Sequence, residues 1–398
     1  MNDLCNFSGY PLIPDLSPGV SWYCIATYGI SRLFGYYTDN SDIPSSRRVM
    51  HRTLLPQTSN NSQMKARFDG DRVLLGPEGR ALYDQSGYGR PEKAGLRLAP
   101  EEAAYLVHRE KITVPGYDFD RLISLFAEKP DFLRNFLVYR DIRERGYAIQ
   151  TGPHDFRVFR RGQRPGSGQS QYLVRVLSER DLIDFDVLIE EAMASANMRK
   201  QHVLAVVDDE NELTYYEVKI PVLAETGGGT SLSALSGLLV GKAAIVRAAE
   251  MDATGILSFG MRLDEDRLVL SPLEILHLSA AGILTLKKNG ETQDTDVYAE
   301  GIAAQDVELQ EKKRVYDDLR AKGYTPRTGY KFGHHFRVYS GKKPHSEMLV
   351  HAIARGVALP MSTISRSVRL AHSVKKKMLF GCECTTKIQY VEFARVKL

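Results

Sequence analysis

Tyr339, His345 and Lys376 lie in a segment whose charge is out of keeping with the rest of the chain. From Lys331 to Gly381 there are ten lysines and arginines and one acid, Glu347, although the totals of 53 Lys+Arg and 49 Asp+Glu nearly balance. A phenol, an imidazole and an ammonium group in a basic setting without carboxylates suit one reaction well. RNA carries its own nucleophile, the 2′-hydroxyl. Side chains alone can remove its proton, protonate the departing 5′-oxygen and stabilise the charge on the pentacoordinate phosphate. The products would be a 2′,3′-cyclic phosphate and a 5′-hydroxyl, and DNA would be spared. A metal-dependent nuclease needs carboxylates to hold its cation, and Glu347 alone does not supply them. Cys382-x-Cys384 has the wrong spacing for a zinc pair and reads as alternate residues of a strand. No Walker loop, G-x-S-x-G or H-E-x-x-H is present. Neither a metal nor a cofactor is expected.

An internal duplication singles out two of the three, Tyr339 and His345. Residues 141–159, DIRERGYAIQTGPHDFRVF, match residues 318–339, DLRAKGYTPRTGYKFGHHFRVY, with three extra residues in the second spacer. QSQYLVRVL (169–177) answers HSEMLVHAI (345–353), and SANMRKQHVLAVV (195–207) answers AHSVKKKMLFGCE (371–383), both at an offset of 176. Upstream, APEEAAYLV (99–107) answers SPLEILHLS (271–279) at an offset of 172. Across these alignments Tyr339 faces Phe159, His345 faces Gln169 and Lys376 faces Lys200. The first copy keeps the apolar skeleton that a fold needs and lacks the hydroxyl and the imidazole. Each residue also has a plainer reading: an exposed edge-strand tyrosine, a solvated loop histidine and a solvated basic helix end.

The elements that would position them read as α-β-β-α-β-β. EKKRVYDDLRAKG has helical spacing and stops at Gly323. HFRVY and MLVHAIA are strands around a turn-like SGKKPHS. STISRSVRLAHSV is an amphipathic helix, and KMLFGCE and IQYVEFARV close the module as strands. Strand alternation turns Phe336 and Val338 to one face and Arg337 and Tyr339 to the other. If the helix continues to Lys376, Arg369 and Lys376 share a face roughly 10 Å apart at ~1.5 Å per residue, the reach of one or two nucleotides. Ser271, Pro272 and Glu274 make a capped helix start in the upstream part of the module. The fold class is α/β by tandem duplication. Each module has a small strand/helix subdomain followed by a mixed-sheet, nuclease-like α/β subdomain. We assign 1–63 to an N-terminal extension, expected to be poorly ordered, with the recognisable pattern starting at Met64. Residues 64–223 form the degenerate structural repeat, the Gly-rich 224–234 a linker, and 235–398 the catalytic repeat.

The totals agree with this layout. A chain of 398 residues with 43% hydrophobic residues has room for two or three domains. Four cysteines are too few for a disulfide framework, which suits a reducing compartment. The apolar run VSWYCIATYGISRLFGYY is interrupted by Arg32, so no membrane span is expected and a cytoplasmic location is.

The motifs RAKGYTPRTGYKFGHHFRVY, HSEMLV and RSVRLAHSVKKKMLF resemble those of the archaeal tRNA-splicing endonucleases. With the degenerate first copy, the resemblance covers residues 64–398, and two repeats per chain match the homodimeric type. The resemblance implies Tyr339 as general base, His345 as general acid and Lys376 as stabiliser of the phosphorane charge. A tyrosine base needs help, since a free phenol titrates near ~10. It further implies that Arg369 and Arg395 clamp a bulged base by cation–π stacking. The acidic loop Asp208, Asp209 and Glu210 would dock into a partner subunit. The implied substrate is a precursor tRNA cut at both strands of a bulge-helix-bulge. With one complete triad per chain, two sites need a homodimer. An RNA-binding protein without catalysis, or a structural subunit of a larger assembly, is the alternative.

Overall fold

The computed structural model describes residues 63–70, 72–225, 234–253, 259–341, 344–384 and 387–398. Residues 1–62, on which the expected N-terminal extension falls, and 226–233 of the expected linker lie outside the described residues.

The first repeat opens with β1 (Met64–Asp69), β2 (Arg72–Leu75), β3 (Arg90–Glu92), β4 (Gly95–Leu98) and β5 (Ile112–Thr113), which make a sheet in the order β3-β4-β2-β1-β5. Helices Pro100–His108 and Phe132–Glu144 lead into β6 (Ile149–Thr151), β7 (Phe156–Phe159) and β8 (Ser170–Ser178). A short β9 (Leu182–Asp184), helix Phe185–Asn197, β10 (Gln201–Val207) and β11 (Leu213–Lys219) complete it.

The second repeat follows the same course. Strands β12 (Leu235–Val240), β13 (Ala243–Arg247), β14 (Met261–Arg262), β15 (Arg267–Leu270), β16 (Leu284–Lys288) and β17 (Glu291–Thr292) form the small sheet. Helices Pro272–Ala280 and Leu309–Ala321 precede β18 (Thr325–Thr328), β19 (Phe336–Tyr339), β20 (Met348–Ile353) and β21 (Ala358–Pro360). Helix Met361–Ser373, β22 (Lys377–Cys384) and β23 (Lys387–Val396) end the chain. The mixed α/β architecture is that of two tandem modules.

The duplication extends to individual side chains. Arg143 donates to the Tyr139 hydroxyl at 3.0 Å, and Arg320 to that of Tyr316 at 3.0 Å. The Tyr215 hydroxyl donates to Asp141 at 2.6 Å, and Tyr390 to Asp318 at 2.6 Å. Glu102 caps its helix by accepting from Ala99 N–H at 3.0 Å, and Glu274 does the same from Ser271 N–H at 2.8 Å.

The repeats join by pairing equivalent elements. β11 and β23 run antiparallel, fusing both main sheets into ten strands in the order β18-β19-β20-β22-β23-β11-β10-β8-β7-β6. β9 pairs with its own counterpart β21. Such self-complementary pairing is the signature of a two-fold axis, here internal to one chain. One buried cluster crosses the seam, with Leu188, Ile189 and Leu204 from the first repeat and Leu349, Ile364 and Phe380 from the second.

Two expectations need correcting. The second repeat contains β18 and β21 beyond the α-β-β-α-β-β reading. β18 carries Pro326, which discourages a strand reading but is tolerated on an edge strand. The helix read over 362–374 ends at Ser373, so the conditional continuation to Lys376 does not hold. Lys375 adopts a left-handed φ of 55°, which turns the chain out of the helix into β22. Arg369 and Lys376 therefore do not share a helix face.

Candidate active site

Strand directions bring the three candidate residues together. β19 runs antiparallel to β20, and β20 runs parallel to β22. The C-terminal end of β19 and the N-terminal ends of β20 and β22 therefore meet at one end of the sheet. Tyr339 is the last residue of β19, His345 lies three residues before β20, and Lys376 immediately precedes β22. Backbone bonds zip these ends together: Glu347 N–H donates to Val338 O at 3.0 Å, and Lys377 N–H to Glu347 O at 3.0 Å.

Lys376 is the structural hinge of the group. Its Nζ donates to the Ser346 carbonyl at 2.5 Å, which ties the lysine to the residue beside His345. The same ammonium stands 5.8 Å from the centroid of the Phe332 ring. Phe332 belongs to the short 3₁₀ turn Tyr330–Phe332 inside the spacer that is longer in the second copy. Two glycines shape that turn. A Cβ at Gly329 would come within 2.6 Å of the His334 carbonyl, and Gly333 has a φ of 63°. Phe332 packs against the cluster that crosses the seam and so reaches the site from the core side.

His345 is exposed, while Tyr339 and Lys376 are half-buried. His345 and Lys376 line one depression of about 1540 Å³, together with Ser340, His372, Lys375 and Lys377. Tyr339 abuts it through Ser340, and the Arg337 guanidinium lies 5.8 Å from the Tyr339 ring. The lone acid of the basic segment, Glu347, hydrogen-bonds Ser340. Arg369 is exposed on helix Met361–Ser373, one turn before His372 and Ser373, which line the depression. Arg395 is exposed on β23, and continuing the β22–β23 register by two residues sets it opposite Lys376.

The acidic loop has a definite shape. Asp208 accepts from Glu210 N–H at 3.0 Å and Glu212 N–H at 2.8 Å, so its carboxylate holds the turn. Asp209 pairs with Arg180, and Asp209 and Glu210 are exposed. The loop projects past the same end of the ten-stranded sheet as Lys376, two to three strands from β22. The structure thus gathers Tyr339, His345, Lys376 and Arg395 at one sheet end, sets Arg369 on the bordering helix, and leaves Asp208, Asp209 and Glu210 beside the site.

Behind β19 lies a histidine cluster that the sequence did not single out. The His335 and His351 rings stack at 4.0 Å, and His334 stands 5.8 Å from His351. Burial pushes His334 and His351 down to about 4. His335 Nδ1 accepts from Ala352 N–H at 3.0 Å, where Asp155 accepts from Val176 N–H at 2.7 Å in the first repeat. Cys382 and Cys384 belong to β22 and pack on the seam cluster. Phe332 and Ser346 were also missed. The longer spacer was the available signal for Phe332, whereas Ser346 acts through its carbonyl, which no side-chain pattern reveals.

Known proteins match this chain in sequence. A family model described as the tRNA intron endonuclease catalytic C-terminal domain matches residues 132–215 and again 309–390. The corresponding N-terminal domain model matches 64–123 and 235–298. The chain is 37% identical over 354 residues to the tRNA-splicing endonuclease of Methanococcoides burtonii, covering 84% of this chain and 100% of that one. It is 36% identical to that of Methanosarcina barkeri, again over 84% and 100%. For Natronomonas pharaonis the figures are 35% identity, 84% and 99%. Matched twice over by both domain models, this chain belongs to the tRNA intron endonuclease family and is an endoribonuclease.

Proposed function

We propose that this chain is a tRNA-splicing endonuclease that cuts precursor tRNA at the bulge-helix-bulge exon–intron junctions, working as a homodimer in the cytoplasm. The observation that carries the reading is the meeting of Tyr339, His345 and Lys376 at one sheet end, where β19 ends and β20 and β22 begin. Tyr339 takes the proton from the 2′-hydroxyl. O2′ attacks the adjacent phosphorus in line, the P–O5′ bond breaks, and His345 delivers a proton to O5′. Lys376 stabilises the negative charge that builds on the phosphorane oxygens. The products are a 2′,3′-cyclic phosphate and a 5′-hydroxyl. Both proton transfers and the charge stabilisation fall to side chains, so the step needs no metal.

Arg369 and Arg395 flank the depression and stack on a bulged base. Each chain holds one full triad and the substrate has two scissile bonds, so two chains act together. Asp208, Asp209 and Glu210 dock at the partner's basic catalytic repeat. No helix among the described residues is long and apolar enough to cross a membrane.

The test is incubation with a bulge-helix-bulge RNA in EDTA, followed by end-group analysis. Cyclic phosphate and 5′-hydroxyl ends at undiminished rate are expected. Activity lost in EDTA and restored by magnesium, on RNA shown to stay folded, would overturn the mechanism. Tight binding without any cleavage would leave a non-catalytic RNA-binding protein.

A further inference from the structure

The two small sheets have the same strand register and opposite surfaces. In the first repeat, Arg67 faces Leu74, Leu74 faces Arg97 and Arg97 faces Arg90 across four strands. The matching positions in the second repeat are Leu238, Ile245, Val269 and Met261, paired in the same way. Two of these are largely exposed, Leu238 at 51% and Met261 at 69%. One backbone thus presents three arginines and a leucine in one copy and four apolar side chains in the other. Fold stability does not require either set.

The arginines border a defined concavity. Arg72, Arg90, Arg97 and Lys129 surround a hollow of about 190 Å³, with Thr151 of β6 on its rim. Arg90 is aimed by donating to the Thr151 carbonyl at 2.8 Å, and Arg97 by an ion pair with Glu92 at 3.0 Å. The lining acid, Glu102, has both carboxylate oxygens engaged by backbone, accepting from Gly89 and Ala99 N–H at 2.9 and 3.0 Å. In the second repeat the equivalent residues are Ala243, Met261, Val269 and Asp306, and the hollow widens to about 930 Å³. None of the four cations is kept at its position and an acid stands in place of one, while Lys242, Lys312 and Arg327 line other parts of the wider hollow.

We propose that the hollow ringed by Arg72, Arg90, Arg97 and Lys129 holds a backbone phosphate of the RNA substrate, away from the bond being cut. Guanidinium groups fit phosphate oxygens in bidentate fashion, and the lysine adds a point charge. Among the strands of the ten-stranded sheet, β6 lies eight steps from β19. At about 4.8 Å per step this is roughly 40 Å. A full precursor RNA spans that distance and a short RNA around the junction does not. The first repeat, stripped of its triad, then serves as a second hold on the same substrate. This rests on the proposed RNA-cutting reading.

The test exchanges Arg72→Ala and Lys129→Asp, the residues that the second repeat carries at the same places. Binding of full-length precursor RNA and of a minimal bulge-helix-bulge RNA is measured against salt. For the precursor, the slope of log affinity on log salt should flatten by about one per lost phosphate contact. Affinity at ~0.1 M salt should drop about tenfold, with kcat at saturation unchanged and the minimal RNA bound as before. A control with Arg97→Val should weaken precursor binding in the same direction. An unchanged salt slope in a variant that melts like the parent overturns the proposal, and so does an equal loss on the minimal RNA. Inorganic phosphate probes the rival source. Tight phosphate binding that precursor RNA fails to displace would assign the hollow to a small anion and overturn the RNA assignment. If the parent binds precursor RNA with the expected dependence but never cuts it, the phosphate site stands and the endonuclease reading falls.

Discussion

Lys200 and Lys376 hold the same place in their repeats and make the same bond. Lys200 Nζ donates to the Ser170 carbonyl at 2.9 Å, as Lys376 does to Ser346. Both follow a residue in the left-handed region, Arg199 at φ 58° and Lys375 at φ 55°. The lysine–carbonyl link is therefore part of the architecture and is not by itself a mark of catalysis. What differs is the company. Phe159 is buried where Tyr339 is half-exposed, the exposed Gln169 stands for His345, and the shorter spacer has no counterpart of Phe332. On the proposed reading, reactivity in this fold is a thin layer of a few side chains laid over a scaffold that both copies share.

That contrast can be broken most decisively at the twin lysines. Lys376→Ala and His345→Ala should each slow cleavage by ~10²–10⁴-fold, the usual worth of such groups, with RNA affinity nearly unchanged. Lys200→Ala should leave kcat intact and lower stability by ~1 kcal/mol, the value of one hydrogen bond. Equal loss of kcat from both lysines would mean that the first repeat takes part in chemistry.

Acidity probes the next difference, the imidazoles packed behind β19. An unfolded imidazole titrates near ~6.5, whereas His334 and His351 are held at about 4 by burial. Between those values the unfolded chain binds more protons, so stability falls as pH drops from ~6.5 towards 4 and is flat above. The effect is up to about 3 kcal/mol per ring. Chemical unfolding at pH 7 and pH 5 measures it, and His334→Gln should remove part of the slope. A pH-independent midpoint would contradict the burial of these rings.

The acidic loop tests the proposed division of labour between chains. Reversing Asp209 and Glu210 to lysine should weaken dimerisation about tenfold, most at low salt. Mixing that variant with a Lys376→Ala chain should recover activity that neither parent shows, with singly cut RNA accumulating. Full activity of the loop variant alone, or no recovery despite verified subunit exchange, counts against docking between chains.

The smallest effect is expected at Phe332. A ring facing an ammonium contributes about 0.5–1 kcal/mol, so Phe332→Leu should reduce kcat about two- to fivefold with KM unchanged. Phe332→Tyr should restore it, and a change confined to KM would make Phe332 an RNA contact instead.

Much of this was legible in the sequence because duplication performs a comparison that one copy cannot. Keeping Phe336 and Val338 while varying the residue at 339 separates skeleton from chemistry, and strand alternation then points Tyr339 away from the helix Leu309–Ala321. Less legible was anything set by a single dihedral or by pairing across the chain. Lys375 ends its helix through one backbone rotation that its identity does not announce. β18 is hidden by Pro326. The cationic hollow draws on residues from Arg72 to Thr151, and only the register of four strands brings them to one rim.

The pairing of β11 with β23 has a consequence for how the chain is made. Tyr215 pairs with Val396, so the seam joins residues about 180 positions apart. At ~5–20 residues per second, β11 leaves the ribosome roughly ten to thirty-five seconds before its partner exists. During that interval the nascent first repeat offers a bare strand edge, with Leu204, Val206 and Val218 not yet covered by the other half of their cluster. An open edge beside uncovered apolar side chains is a template for pairing with the wrong chain. Synthesis speed and chaperone capacity, rather than the stability of the finished sheet, should therefore limit the yield of this protein in a foreign host.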